Sequence, residues 1–400
     1  MPRGAKPARP AAILSLGGLY VAQSVLAGFI WTTLPAVWRS QGTDIQDLGW
    51  LSLLILPWAL KFLWSPLVER WRRPPDGRVW TRRMIAAGLI AILSALPLLL
   101  FDLPPAGFFV VLLAITTVTA TVDIACDGHA VEAFPSDAYP WVNMMQVGGA
   151  YLGAACGGGL LLVVIDRAGF DAGMGVLAGL CAVLMFPFLL RRQPAPCSAP
   201  APQGQSLRAA LARPDFRRGL LVAALFVVAM KSMMGLYGPF LVDLGASLSR
   251  IGSISATGGL IAGLVGASCG GILVARFGSG RVLAAAMLVQ GLILAACLAT
   301  AAGAAALIPA MVSITQIAGS GGLALGFVAL YAKFMEWSDP SQGGVDFTLL
   351  QSADAAVSMG LGLAATQIAA RLGYPVAFSL ALAATATCAL LLRRMITLRR

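Results

Sequence analysis

Thr121-Val-Asp-Ile-Ala-Cys-Asp-Gly-His-Ala-Val-Glu132 closes an uncharged stretch that begins at Ala106. The segment 106–132 is long enough to cross a bilayer, which takes about 20 apolar residues. An ionised carboxylate in hydrocarbon costs about 2.5–3.5 kcal/mol on insertion scales, so Asp123 and Asp127 must face protein or a watery pathway. The same run carries the chain's single histidine, His129, and three of its 17 acidic residues. This concentration of charge points to a membrane protein with a polar pathway through it.

Composition agrees along the whole chain. The 400 residues are 58% hydrophobic and only 11% charged, with a mean hydropathy of +0.84, whereas soluble domains are roughly a quarter charged. Twelve apolar stretches are long enough to span: 11–37, 48–64, 84–101, 106–132, 141–165, 173–190, 219–241, 251–275, 282–302, 304–334, 345–370 and 374–392. We refer to them as spans 1 to 12 and expect an all-α membrane protein. The first stretch runs from Ala11 past Ile30, longer than the roughly 7–15 residues of a signal-peptide core, and reads as an uncleaved span.

The net charge of +11 is explained by topology, not by nucleic acid. With the N-terminus inside, twenty-two of the 28 basic residues fall in cytoplasmic segments, and outside stand only Arg39, Arg167, Arg250 and Arg371. Lys61 and Lys231 lie within spans. This asymmetry predicts both termini in the cytoplasm. The seven cysteines show no CxxC pairing and read as small core residues, with no metal site and no disulfide framework.

The longest polar interruption, 191–218, contains Gln193-Pro-Ala-Pro-Cys-Ser-Ala-Pro-Ala-Pro-Gln-Gly-Gln205, a flexible or polyproline-like linker. It divides the chain into a six-helix bundle over 1–190 and another over 219–400, the layout of transporters built from two related halves. Weak symmetry supports this division. Glu132 and Gln146 close span 4 and open span 5 much as Glu336 and Gln351 flank the junction of spans 10 and 11. Small residues recur at Gly149, Gly153 and Gly157 in span 5 and at Gly259, Gly263, Ala267 and Gly271 in span 8, spacing that lets helix backbones approach. Pro57, Pro97, Pro187, Pro239 and Pro309 interrupt spans and read as kinks.

At 100° per residue, Thr116, Thr119, Asp123 and Asp127 fall within about 80° on span 4, with Glu132 some 140° away at its cytoplasmic end. Carboxylates in such surroundings are proton-relay candidates, so Asp123, Asp127, Lys61 and Glu132 are assigned to proton coupling. Lys61 lies at a depth close to Asp127, where it either snorkels or pairs with the span 4 acids. Lys231 stands too deep for that and pairs with Asp354 in span 11, as a structural tie or a substrate contact. The buried amides Gln23, Gln146, Gln316 and Gln351, with Thr119, Lys231 and Asp354, complete the expected substrate cavity. His129 beside the acids reads either as a titrating group or as packing.

Several stretches, in both halves of the chain, resemble a known family. Gly271-Ile-Leu-Val-Ala275-Arg276-Phe-Gly278-Ser-Gly-Arg281 after span 8 resembles the Gly-x-x-x-Asp-Arg-x-Gly-Arg signature of the major facilitator superfamily, with alanine at the aspartate. Ser65-Pro-Leu-Val-Glu69-Arg70 after span 2 keeps an acid–arginine pair. Leu56-Pro-Trp-Ala-Leu-Lys61-Phe-Leu-Trp-Ser-Pro-Leu-Val-Glu69-Arg70 is similar to the span 2 motif of the AmpG-like branch, which holds muropeptide permeases, acetyl-coenzyme A transporters and the RhtX/FptX siderophore permeases. The 121–132 run resembles that branch's span 4 motif. Muropeptide permeases read Thr-Gln-Asp-Ile-x-x-Asp-Ala-x-Arg there. Here Val122, Gly128 and the lack of arginine at 130 or 131 lean toward the siderophore group, as does Phe334 to Asp354.

The resemblance implies the major facilitator fold in a bacterial inner membrane. It further implies a monomeric secondary transporter that imports a ferric siderophore by proton symport, with muropeptide uptake on the same fold as the alternative. Membrane lipid is its expected surrounding partner. No Gly-x-x-x-x-Gly-Lys-[Ser/Thr] loop for ATP occurs, and no cofactor or enzymatic role is expected. An intramembrane prenyltransferase is the remote alternative, disfavoured because Asp339, Asp346 and Asp354 are too dispersed to hold Mg²⁺ and diphosphate together.

Overall fold

A computed structural model describes residues 10–42, 49–74, 77–191 and 206–397. Most of the linker, 192–205, and both chain ends lie outside the described residues. The described chain is helical throughout, as it must be where hydrocarbon offers backbone groups no alternative partner. Nine helices among the described residues are long and apolar enough to cross a membrane, and a bent pair, Trp50–Leu63 with Ser65–Arg72, makes a tenth.

Two of the nine are double. Ser136–Leu190 breaks at Gly169 (φ 86°, ψ 167°) and Gly343–Arg394 breaks at Gly373 (φ 80°, ψ 168°). At Gly169 the chain folds back: a Cβ on Gly173 would run into the Ile165 side chain, although eight residues of straight helix separate two positions by about 12 Å. A side chain at positive φ would be strained at either break. Dividing both helices there and counting the bent pair once gives twelve segments. The observed spans are 1, Pro10–Ser40; 2, the bent pair; 3, Thr81–Leu100; 4, Pro105–Ala133; 5 and 6 on either side of Gly169; 7, Pro214–Asp243; 8, Leu248–Phe277; 9, Ser279–Ala301; 10, Ala305–Trp337; and 11 and 12 on either side of Gly373.

The chain forms two compact units, one of Met1–Arg213 with Met335–Ser352, the other of Pro214–Phe334 with Ala353–Arg400. The 335–352 segment thus groups with the first unit, although it follows the linker in sequence. In the first unit, glycines bring spans 1 and 5 together. A Cβ at Gly153 would collide with Ser24 and Val21, and one at Gly157 with the Val25 carbonyl. Both spans widen into π-helical turns at this level, Phe29–Thr33 and Ala155–Leu160. Thr33 Oγ1 donates to the Gly157 carbonyl at 2.6 Å, supplying the partner that a widened turn leaves wanting.

The second unit repeats the device between spans 8 and 10. Their π-helical turns are Ile254–Gly259 and Ile314–Ala318. Glycines in close contact include Gly258, Gly259, Gly266 and Gly270, whose Cβ positions would meet Ile317, Gln316, Gly321 and Val328. The expected stripe positions 259, 263, 267 and 271 are all buried, and Gly266 and Gly270 beside them add close approaches to span 10. Pro57, Pro97 and Pro309 each open a new helical segment, where the missing N–H costs nothing.

Candidate translocation site

Span 4 carries the first cluster. Asp127 is fully buried and accepts hydrogen bonds at one oxygen, Oδ1, from Tyr20 Oη (3.0 Å) and Gln146 Nε2 (3.2 Å). Its other oxygen and Gln146 Oε1 are buried with no hydrogen-bond partner among the described residues. One turn earlier, Asp123 Oδ2 pairs with Lys61, whose Nζ also donates to Gln351 Oε1 at 2.6 Å. Lys61 and Asp123 are both buried. Lys61 thus turns inward and meets Asp123, not Asp127, the acid whose depth the sequence matched to it. Gln23 Nε2 reaches Cys126 Sγ at 3.5 Å, beside the same two acids.

The carboxylates therefore occupy different environments. Asp123 has a cation in contact, while Asp127 is held by two neutral donors. Spans 1, 2, 4 and 5, with the 335–352 segment, contribute to this cluster. Thr119 lies on the stripe but donates to the Ile115 carbonyl of its own helix (2.7 Å), and Thr116 to Leu113 (2.9 Å). Their hydroxyls serve the helix backbone.

Glu132 stands apart from the aspartates. It pairs with Arg72 (2.6 Å) and with Arg73, while Arg72 also holds Glu69 at 2.5 Å and Thr81 Oγ1 at 3.3 Å. Arg72, Glu69 and Glu132 are essentially inaccessible. Glu69 pairs with Arg72, one helical turn on, and the adjacent Arg70 points outward. Gly128 and Gly344 pack beside this network, with a Cβ at Gly128 only 3.0 Å from Glu69 Oε2 and from the Gly344 nitrogen. His129 lies edge-on to Phe188 (5.4 Å) and Phe134 (6.2 Å).

The second unit holds the expected Lys231–Asp354 pair, at 2.8 Å. Lys231 Nζ also lies 4.6 Å from the centre of the Phe327 ring, and Ser358 Oγ donates to Asp354 Oδ1 at 3.2 Å. Span 7 loses its α-helical form directly after Lys231, passes through a 3₁₀ turn at Met234–Leu236 and resumes as α-helix at Tyr237–Asp243. Gln316 sits half-buried in the π-helical turn of span 10, with no side-chain hydrogen bond among the described residues.

With this geometry in hand, a profile of the Major Facilitator Superfamily matches residues 16–262. The chain belongs to the major facilitator superfamily. Among curated relatives of this superfamily protein, the anhydromuropeptide permease of Escherichia coli is 30% identical over 271 residues, covering 65% of this chain and 54% of that protein. Transporter AmpG 4 of Rickettsia conorii is 26% identical over 269 residues, 62% of this chain and 64% of the relative. The chain thus spans about half the length of the first of these relatives. The similarity agrees with the AmpG-like motifs in spans 2 and 4.

Solved structures match almost end to end. A bacterial homologue of the iron transporter ferroportin, in an outward-facing state, covers 98% of this chain and all of its own at a TM-score of 0.69 and 16% identity. The E. coli fucose:proton symporter FucP covers 96% at 0.70 and 16% identity, with 98% of its own chain matched. A human organic anion transporter covers 97%, with all of its own chain matched, at 0.71 and 16% identity. At such identities they show the fold alone. Membership of the superfamily and its apolar helices make this chain a multi-pass membrane protein.

One residue of the span 4 cluster and one hydrogen bond of the second unit escape the sequence reading. Tyr20 looks like an ordinary core aromatic, and only its position three residues before Gln23, on the same helix face, marks it. The Gln290–Tyr237 hydrogen bond (2.8 Å) joins spans 9 and 7 without any signal in either segment.

Proposed function

We propose that this chain is a proton-coupled secondary permease that imports a solute of the anhydro-muropeptide class by alternating access. The observation that carries the solute class is the 30% identity with the E. coli anhydromuropeptide permease over 271 residues. The buried acid–lysine–amide cluster around Asp123, Asp127 and Lys61 supports coupling to protons, because intramembrane carboxylates serve as proton relays. In this reading Gln146 and Gln351 offer amide contacts to a polar solute in the first unit. The surrounding bilayer is a bacterial inner membrane, with both termini cytoplasmic.

A second reading is siderophore import. Val122, Gly128 and the missing arginine at 130 and 131 favour it, and none of the curated relatives described above bears a siderophore name. The ferroportin homologue, at 16% identity, lends it nothing beyond the fold.

Uptake into a permease-deleted strain separates the two. Expression of this chain is expected to restore accumulation of a radiolabelled anhydro-muramyl tripeptide in a protonophore-sensitive manner. Accumulation of a ferric siderophore without the muropeptide would reverse the assignment.

A further inference from the structure

The connection between spans 2 and 3 is doubly basic, and its cations divide by burial. Arg72 and Arg73 turn inward and pair with Glu69 and Glu132. Arg70, Arg78, Arg82 and Arg83 are exposed on the same short stretch. The connection's second acid, Asp76, lies outside the described residues. Two tryptophans stand among them, Trp71 (56% exposed) and Trp80 (37%). The Arg83 guanidinium lies 5.4 Å from the Trp80 ring centre.

The patch is pinned in place. Trp80 N–H donates to the Arg72 carbonyl at 2.9 Å, closing the loop, and Trp80 O accepts from Met84 N–H at 3.0 Å as span 3 begins. Each span then carries an exposed apolar row that ends in this patch. On span 2, Leu67 (46% exposed) sits one turn before Trp71. On span 3, Ile90 (65% exposed) and Ala87 lead back one turn at a time to Arg83. Exposed apolar rows on membrane spans contact acyl chains, so the arginines and tryptophans at their ends stand at headgroup level, where Trp is enriched.

We infer that this patch is a headgroup-binding site for an anionic glycerophospholipid, with the lipid phosphate on Arg82 and Arg83, the headgroup framed by Trp71 and Trp80, and the acyl chains along Leu67 and Ile90. Zwitterionic lipids offer the same tails but no net charge for the outward arginines to meet, so the site discriminates by headgroup. The inference is independent of which solute the protein carries.

Native mass spectrometry of the full chain tests it, with phosphatidylglycerol and phosphatidylcholine of identical acyl chains as probes. Phosphatidylglycerol is expected to be retained preferentially. Arg82→Gln with Arg83→Gln should cut that preference by about fivefold or more, and Trp80→Leu should weaken retention of both lipids. Arg281→Gln, a basic residue at the start of span 9, is the control and should leave the preference intact. The melting temperature in phosphatidylcholine should be unchanged in all variants, which keeps folding out of the result. Equal retention of the two lipids by the unchanged chain, or an equal loss from Arg281→Gln, would overturn the site.

Discussion

Asp123 and Asp127 are neighbours on one helix face, yet only Asp123 has a cation in contact. Removing the titratable group from Asp127 should therefore abolish concentrative uptake while leaving membrane insertion and solute exchange in place. Asp127→Asn in proteoliposomes, assayed for proton-driven accumulation and for counterflow, checks this; full pH-dependent accumulation in that variant would eliminate the proton-relay role. Asp123→Asn strands the Lys61 charge instead. Its loss of transport or abundance should be reversed by adding Lys61→Met if the pair is a structural tie, because a neutral pair restores charge balance. Arg72 offers a stability test at the same scale. Arg72→Gln leaves Glu69 without its cation and takes one of two from Glu132 in a buried setting, which should cost about 3–5 kcal/mol and appear as a markedly lower melting temperature. What the sequence revealed here was the inventory, not the wiring. Carboxylates and amides in apolar runs are conspicuous because hydrocarbon makes them expensive. Which lysine meets which acid depends on helix rotation, and the Lys61–Gln351 contact joins positions far apart in the chain that share no local pattern.

Helix seams in this protein are built from glycine meeting backbone, since lipid gives apolar side chains no reason to prefer one another. Gly153→Leu and Gly266→Leu should each reduce folded yield, because a side chain at either position would enter the partner helix. Gly159, where a Cβ meets nothing within 4 Å, is the matched control, and Gly159→Leu should leave abundance and melting temperature unchanged. Detergent-solubilised yield and thermal unfolding of the three variants read the difference. The existence of a small-residue seam was legible from four-residue spacing alone. The share of Gly266 and Gly270 in span 8 was not, because the four-residue spacing counted from Gly259 passes them by. Span boundaries were similarly legible to a few residues wherever charge or proline punctuates them. The bend after Leu63 falls where the apolar run 48–64 ends, so the second limb, Ser65–Arg72, lay beyond the span read from the sequence.

Across the whole molecule, apolar run lengths and the placement of arginine were enough to anticipate an all-helical, many-span protein. The grouping of 335–352 with the first compact unit was out of reach, because it rests on packing such as that of Gly344 beside Gly128. The lopsided arginine distribution makes one further expectation: the linker faces the cytoplasm. A cysteine introduced as Gln205→Cys, outside the described residues, in a Cys-depleted background should resist membrane-impermeant thiol reagents in intact cells and react after permeabilisation. Labelling in intact cells would reverse the assigned orientation of every span. The breaks at Gly169 and Gly373 carry a consequence for biosynthesis. Each joins two membrane-crossing helices through a single non-helical glycine, with no loop long enough to let the first helix settle while the second is still being made. Each half should therefore finish its insertion with a paired event, its last two helices leaving the translocation machinery together as a ready-made hairpin, and a ribosome stalled between them would hold a half that cannot yet close.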